Sequence, residues 1–351
     1  MSFTKIDQTS HSQTKRYFKK LFLKNHSKKI IKKKILTNIK NFYKKFYLIN
    51  KYGGTWGWID KNKRSKHINY AFRKDKLLKK SLLNFFRLDL SFGIISSHWE
   101  KKTNKWKKGL TSNILKNINS WEEFTKTKDR DYNFLDSSKD PGNPYGLSYK
   151  KKLIMFDTPR HDYYAKKIID LFHYKKYPTI LEIGGGYGGL LNQLLRRKFR
   201  FNYINIDLLN TILINFYYIS SIHKKINVNF KESLTQIDIK KGGIFFIPFS
   251  LKIFKKLNFK PDLIFNSNSF SEMDQLILKK YFLIINKKLK PKFILHQNSN
   301  VLLYPESKSH VEIQSESFPL DKKKYVKVYS HPSIFQGGSG RYREYFYKRT
   351  K

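Results

Sequence analysis

From residue 153 onward, short apolar runs alternate with longer stretches in which apolar residues recur every three or four positions. The runs TILEI (179–183), FNYINID (201–207), IFFIP (244–248), DLIFNS (262–267) and KFILHQ (292–297) have the length and composition of buried strands. Between them, the stretches 160–174, 188–198, 210–222 and 272–288 predict helices. Strands that alternate with helices of this length predict a parallel sheet covered on both faces. The last two runs, YVKVYS (325–330) and REYFYKR (343–349), flank SIFQGGSG without a helical stretch between them. They read as an antiparallel pair. The fold class that follows is α/β: a Rossmann-like sheet ending in an antiparallel C-terminal strand pair, behind a mostly helical, basic N-terminal region.

Ahead of residue 150 the pattern is less regular. Ile30, Ile31, Ile35, Leu36, Ile39, Phe42 and Phe46 fit one face of a helix whose remaining positions are mostly lysine. Such a helix either lies on an anionic surface or packs its apolar face on the domain and leaves its lysines in water. Residues 51–150 are rich in Trp and Lys, and end in a loop dense in Asp, Ser, Pro and Gly, within which Asn143-Pro144-Tyr145 reads as a turn. The division is a basic helical leader (1–50), an N-terminal substrate or lid subdomain (51–150) and a cofactor-binding domain (151–351).

Candidate chemistry concentrates in residues 179–207. The first apolar run ends in GGGYGG, a helix-like stretch follows, and the next run ends in Asp207. Strand, Gly-rich turn, helix and strand-end carboxylate form a unit that holds an adenosine-containing cofactor. The glycines let the backbone approach the ligand, and the carboxylate accepts from ribose hydroxyls. Gly184, Gly186 and Gly188 spell the GxGxG form usual for S-adenosylmethionine, with Gly185 inside it. Gly184, Gly186 and Gly189 equally satisfy the dinucleotide form GxGxxG. Glu182, just ahead of the turn, is placed to meet the cationic methionine end of the sulfonium cofactor.

Composition narrows the choices. The absence of cysteine removes disulfides, thiolate metal sites and cysteine nucleophiles. A reducing cytoplasm fits, with the inner membrane surface as a peripheral site. No apolar stretch reaches the 18 residues a membrane span requires. Lys+Arg number 72 against 26 Asp+Glu, and residues 1–80 carry 24 basic and 3 acidic side chains. Such a field attracts nucleic acid or anionic lipid, although Lys, Ile, Asn, Phe and Tyr run high together, as an AT-rich genome would produce.

Taken together, GNPYG (142–146), FDTPRHDYYAKKI (156–168), ILEIGGGYGGL (180–190), NIDLLNTILINFYYIS (205–220) and NSNSFSEMD (266–274) resemble a family of sugar O-methyltransferases, class I S-adenosylmethionine-dependent enzymes. The resemblance covers roughly residues 140–350. It implies methyl transfer to a sugar hydroxyl, on a nucleotide-linked sugar or a surface-glycan unit. A hydroxyl needs a base to take its proton, and Glu272 and His296 are the candidates: Glu272 expected at the start of a helix beyond the fourth strand, His296 at the end of the fifth. Asn266, Asn268 and Asn298 on the same edge are candidates for sugar hydroxyls, with Arg160 and Tyr164 closing from the preceding helix. No Asp/His cluster has metal spacing. An RNA methyltransferase and a non-catalytic scaffold docked on anionic membrane are the other readings.

Overall fold

The computed structural model describes residues 31–46, 71–72, 75–91, 94, 99–100, 105–106, 109–126, 131–301, 313–335 and 341–350. Its helices are α1 (Lys33–Phe46), α2 (Asp75–Leu83), α3 (Leu110–Thr125), α4 (Tyr132–Leu135), α5 (Thr158–Leu171), α6 (Gly189–Arg196), α7 (Leu209–Ile222), α8 (Gln236–Lys241), α9 (Leu251–Lys256) and α10 (Gln275–Ile284). A hairpin of β1 (Leu147–Tyr149) and β2 (Lys152–Ile154) precedes the main sheet. That sheet contains β3 (Thr179–Ile183), β4 (Asn202–Asp207), β5 (Val228–Phe230), β6 (Ile244–Pro248), β7 (Leu263–Ser267), β8 (Phe293–Ser299), β9 (Tyr325–Pro332) and β10 (Tyr342–Arg349).

Spatial order across the sheet is β5-β6-β4-β3-β7-β8-β10-β9. The six strands from β5 to β8 are parallel; β10 runs antiparallel to both β8 and β9. The Rossmann-like sheet with an antiparallel C-terminal strand pair is therefore the observed fold. Every residue of β3, β6 and β8 is buried, as expected of strands covered on both faces. The chain winds from β3 outward through β4 to β6, then returns to the other side of β3 with β7. This reversal opens a crevice beyond the carboxyl ends of β3, β4 and β7, where α/β sheets bind ligands.

Two expected boundaries move. The helix expected over 272–288 begins only at Gln275, because the Asp274 carboxylate caps it by accepting from the Leu276 and Ile277 amides at 2.9 and 3.2 Å. Glu272 thus stands in the turn ahead of that helix. The same helix loosens into a π-turn at Ile285–Leu289. The strand expected to end at His296 continues to Ser299, so His296 lies inside the ladder, opposite Asn266 and Tyr345.

The leader helix α1 packs on the domain. Ile35, Leu36, Ile39, Phe42 and Phe46 are buried, and Phe42 stacks on Phe230 of β5 with ring centres 3.8 Å apart. Its apolar face is thereby consumed, which leaves no face for an interfacial helix. Ile30 lies outside the described residues. Residues from α1 to β2 share one hydrophobic core with the main sheet: Phe85 and Phe86 meet Tyr218 of α7 edge-on, and the Trp121 indole donates to Asp162 of α5 at 2.7 Å. Asn143 follows a bend at Pro141 and Gly142, with its φ at +59° and its carbonyl accepting from the buried Arg87 at 3.0 Å.

Because α1 contributes to the core, truncating Ile39 to Ala should cost about 2–5 kcal/mol of unfolding free energy. Urea titration measures it. A loss under about 0.5 kcal/mol would mean that α1 is not part of the cooperative unit.

Candidate active site

The crevice is a partly open cleft that spans about 1180 Å³ of space, open solvent included. Its floor is the turn after β3. Gly184 adopts a φ of +80°, and a Cβ there would lie 2.1 Å from the Ser269 hydroxyl. Gly188, with a φ of +94°, would press a Cβ to 2.4 Å from the Asn215 side chain. Only glycine meets both demands, left-handed backbone and bare contact. Gly184, Gly185 and Gly186 line the cleft; Gly188 stands behind the turn and leads into α6.

Asp207 ends β4 on the other side of the turn. Its Oδ2 accepts the Gly186 amide at 2.9 Å and its Oδ1 the Leu208 amide at 2.6 Å, which fixes the carboxylate across the turn. Beyond it, Leu208, Phe249, Ile277 and Tyr281 supply an apolar wall, with the Phe249 and Tyr281 rings stacked at 4.9 Å. Toward the opposite end lie Asp157, Arg160, Tyr164, Ser267 and Asn268. Arg160 donates to the Asp157 carboxylate at 2.8 Å and to the Ser267 hydroxyl at 2.6 Å. Tyr164 donates to Glu344 at 3.0 Å and reaches Gln297 at 3.1 Å.

Glu182 is 4 % exposed, and its Oε2 has no hydrogen-bond partner. Burial and the neighbouring Asp207 charge raise its pKa to about 8, against a smaller opposing pull from Arg160. Arg160 Nε and Asn268 Oδ1, also on the cleft wall, are likewise buried without partners. Buried polar atoms are normally satisfied, so three orphans on one wall mark a place for ligand polar groups.

The charge of the lining departs from that of the chain. Among the described residues, five carboxylates (Asp157, Glu182, Asp207, Glu272, Asp274) face one permanent cation, Arg160, and no lysine lines the cleft. His161 adds no charge near neutrality, since burial drives its pKa down to about 3.

Of the residues expected in the site, Glu182, Gly184, Gly185, Gly186, Asp207, Arg160, Tyr164, Asn268 and Glu272 line one cleft. Asn266, Asn298 and His296 do not. The Asn266 amide donates to the Ile183 carbonyl at 2.7 Å, and its oxygen accepts from Asn298 at 2.9 Å. Asn298 in turn accepts the Ser271 amide at 3.2 Å. The pair braces the loop after β7 from beneath, with no exposed surface on either residue. His296 is stacked against Tyr345 and Tyr347 and borders Phe318. Burial lowers its pKa to about 3, slightly offset by Glu344. A neutral, enclosed imidazole off the cleft is not placed to take a substrate proton. Sequence reasoning missed Asp157, Ser267, Phe249 and Tyr281; of these, only Asp157 carried a signal, as the cap-position carboxylate before Pro159. Among the described residues no cluster of His, Asp and Glu could hold a metal ion.

No protein-family model matches the chain, and no curated protein sequence matches it. Among solved structures it is similar to the PH0226 protein of Pyrococcus horikoshii (13% identity, 54% of this chain, 91% of that one, TM-score 0.37). It is also similar to a sarcosine dimethylglycine methyltransferase from Galdieria sulphuraria (13%, 54% and 85%, TM-score 0.39). A third is the N-methyltransferase NodS of Bradyrhizobium japonicum in complex with S-adenosyl-L-homocysteine (12%, 55% and 88%, TM-score 0.38). Likeness at this level does not bear on chemistry.

The Glu182 geometry has a stability consequence. Its folded pKa of about 8 exceeds the ordinary 4.5, so the folded state holds a proton that the unfolded chain releases. Stability from this group is therefore present below about pH 4.5 and is lost as pH rises toward 8, by up to about 1.4 kcal/mol per pH unit. Glu182→Gln should remove that part of the slope, read from urea unfolding at pH 5, 6, 7 and 8. Parallel slopes for the two proteins would refute the buried acid.

Proposed function

We propose that the chain is an S-adenosylmethionine-dependent methyltransferase acting on a sugar hydroxyl. The observation that carries the cofactor assignment is the acid-rich cleft around a glycine-bared turn in a chain of formal charge +46. A dinucleotide brings a pyrophosphate, which four carboxylates (Asp157, Asp207, Glu272 and Asp274) against one arginine would repel, Glu182 keeping its proton near neutrality. A sulfonium with an ammonium group brings net positive charge, which they attract. The antiparallel last strand of the sheet supports the same choice.

The residues fit the cofactor. Asp207, held by two backbone amides, would accept from the ribose diol. The wall of Leu208, Phe249, Ile277 and Tyr281 would take the adenine. Glu182 would face the methionine ammonium, with Arg160 near enough to pair with a carboxylate. The bound cofactor supplies a methyl already activated by the positive sulfur. What remains for the protein is to orient the acceptor and remove its proton. Glu272, on the loop after β7, is the carboxylate proposed to receive that proton; Asn268 Oδ1 and the Ser267 hydroxyl are proposed to hold neighbouring hydroxyls. The excess of carboxylates favours a neutral glycan unit over a nucleotide-linked sugar as acceptor.

Calorimetry with S-adenosylmethionine, S-adenosylhomocysteine and NAD tests the first half. Binding of the first two and not the third is expected, with Asp207→Ala weakening it tenfold or more. Heat with NAD alone sinks the proposal. For the second half, methyl transfer from labelled cofactor into neutral glycan fractions should fall about 10²- to 10⁴-fold in Glu272→Gln, while cofactor affinity stays within a factor of two.

A further inference from the structure

The edge of the sheet opposite the cleft, where β3, β7 and β8 begin, carries a second feature. The loop HYKKY (173–177) joins α5 to β3 there and presents Tyr174 and Tyr177, which are 57% and 48% exposed. Among the described residues, Phe124 is the only other strongly exposed aromatic. Tyr177 has a φ of +58°, a left-handed conformation that tyrosine rarely adopts. Its ring turns outward with the Lys176 ammonium 5.7 Å from its centre. Lys292 lies 5.4 Å from the Tyr174 ring centre and donates to its hydroxyl at 3.3 Å.

Below this loop is a hollow lined by Lys260, Asp262, Lys290, Lys292 and Arg349. Its single carboxylate, Asp262, already pairs with Lys175. Thr350, on the same wall, donates to the Lys323 and Lys324 carbonyls, and Lys324 pairs with Asp321. Among the described residues Lys260, Lys290, Lys292 and Arg349 have no carboxylate partner, so cations stand unneutralised around two accessible phenol rings.

We infer that this ledge binds single-stranded nucleic acid, with bases stacked on Tyr174 and Tyr177 and phosphates held by Lys260, Lys290, Lys292 and Arg349. Sequence-tolerant strand binding combines aromatic platforms with a cationic track. A duplex hides its base faces from such rings. Tyrosine also suits the headgroup level of a bilayer, but a lipid surface calls in addition for aliphatic side chains that enter hydrocarbon, and among the described residues the ledge lining presents none. The ledge and the cleft share no lining residue, so the inference stands or falls apart from the proposed activity.

The test is fluorescence anisotropy of the full chain with a labelled mixed-sequence single-stranded RNA 20-mer over a series of salt concentrations. Tyr174→Ala with Tyr177→Ala should weaken binding roughly 10-fold or more, since stacking contributes about 1–3 kcal/mol per base, and leave the salt slope unchanged. Lys290→Ala with Lys292→Ala should lower the slope of log affinity against log salt by about 1.4. A charge-matched control, Lys240→Ala with Lys241→Ala on α8, should have less effect on affinity. Five of the six residues are exposed and Lys290 is half-buried, and thermal melts check that each variant folds. The inference is overturned if the tyrosine pair binds as the wild type does, or if the control weakens binding as much as the Lys290/Lys292 pair. Tyrosine-dependent co-sedimentation with phosphatidylserine vesicles in place of RNA binding overturns it in favour of a membrane contact.

Discussion

A turn stripped of side chains and hemmed in by buried polar groups is the constraint on which the rest of the structure depends. Ser269 from the loop after β7, Asn205 from β4, Asn215 from α7 and His161 from α5 all approach the backbone between Gly184 and Gly189 to distances that a methyl group would violate. Four separate elements are therefore positioned against one short stretch of main chain. Asp207 completes the enclosure by taking the Gly186 amide. A change at the turn displaces its neighbours as well as its ligand surface, because close-packed interiors transmit displacement.

One wall of the cleft depends on the antiparallel C-terminal strand pair. Glu344 of β10 is 1 % exposed and gathers Lys167, Tyr164 at 3.0 Å and Tyr329 at 2.8 Å, with His331 at 3.6 Å. Burial alone would push its pKa up; His331, Lys167 and Tyr329 together bring it down to about 2. The carboxylate stays charged and holds the Tyr164 hydroxyl where α5 meets the sheet. Removing one partner from such a hub leaves a charge buried and short of its bonds, which costs more than the pair itself contributes. The antiparallel pair thus fixes one wall of the cleft from 180 residues away in sequence.

What was legible in the sequence follows from local physics. The runs at 179–183 and 244–248 became strands with those limits, because continuous apolar residues bounded by turn signals leave little alternative. Glu182, the glycines and Asp207 were recoverable because they belong to one βαβ unit, where spacing along the chain fixes spacing in the fold. His296 and Asn298 were misplaced because their assignment needed the length of β8, and a polar HQNS sequence gives no sign that the ladder continues to Ser299. Partnering with β10 on one side and β7 on the other overrides the weak local preference. Phe249 and Tyr281 were invisible for a different reason: an aromatic at a core position looks the same whether its far face meets another side chain or a ligand. For α1 the periodicity was clear, but what covered its apolar face was settled only by Phe230 and the core around it.

Composition explains the excess of lysine without explaining its distribution. A genome-wide bias would scatter lysine over every solvent-facing position, the cleft rim included. Instead, among the described residues, the cleft lining gathers five carboxylates and no lysine, while the opposite edge of the sheet gathers lysines around two exposed phenols. At about 8 Å of screening in physiological salt, the cationic exterior is muted inside a partly enclosed cleft, and the local carboxylates set the potential there. The two edges can therefore attract ligands of opposite sign at the same time. The cleft and the ledge lie at opposite ends of the strands, and the five residues of β3 span about 16 Å, twice that screening length, so each end keeps its own potential.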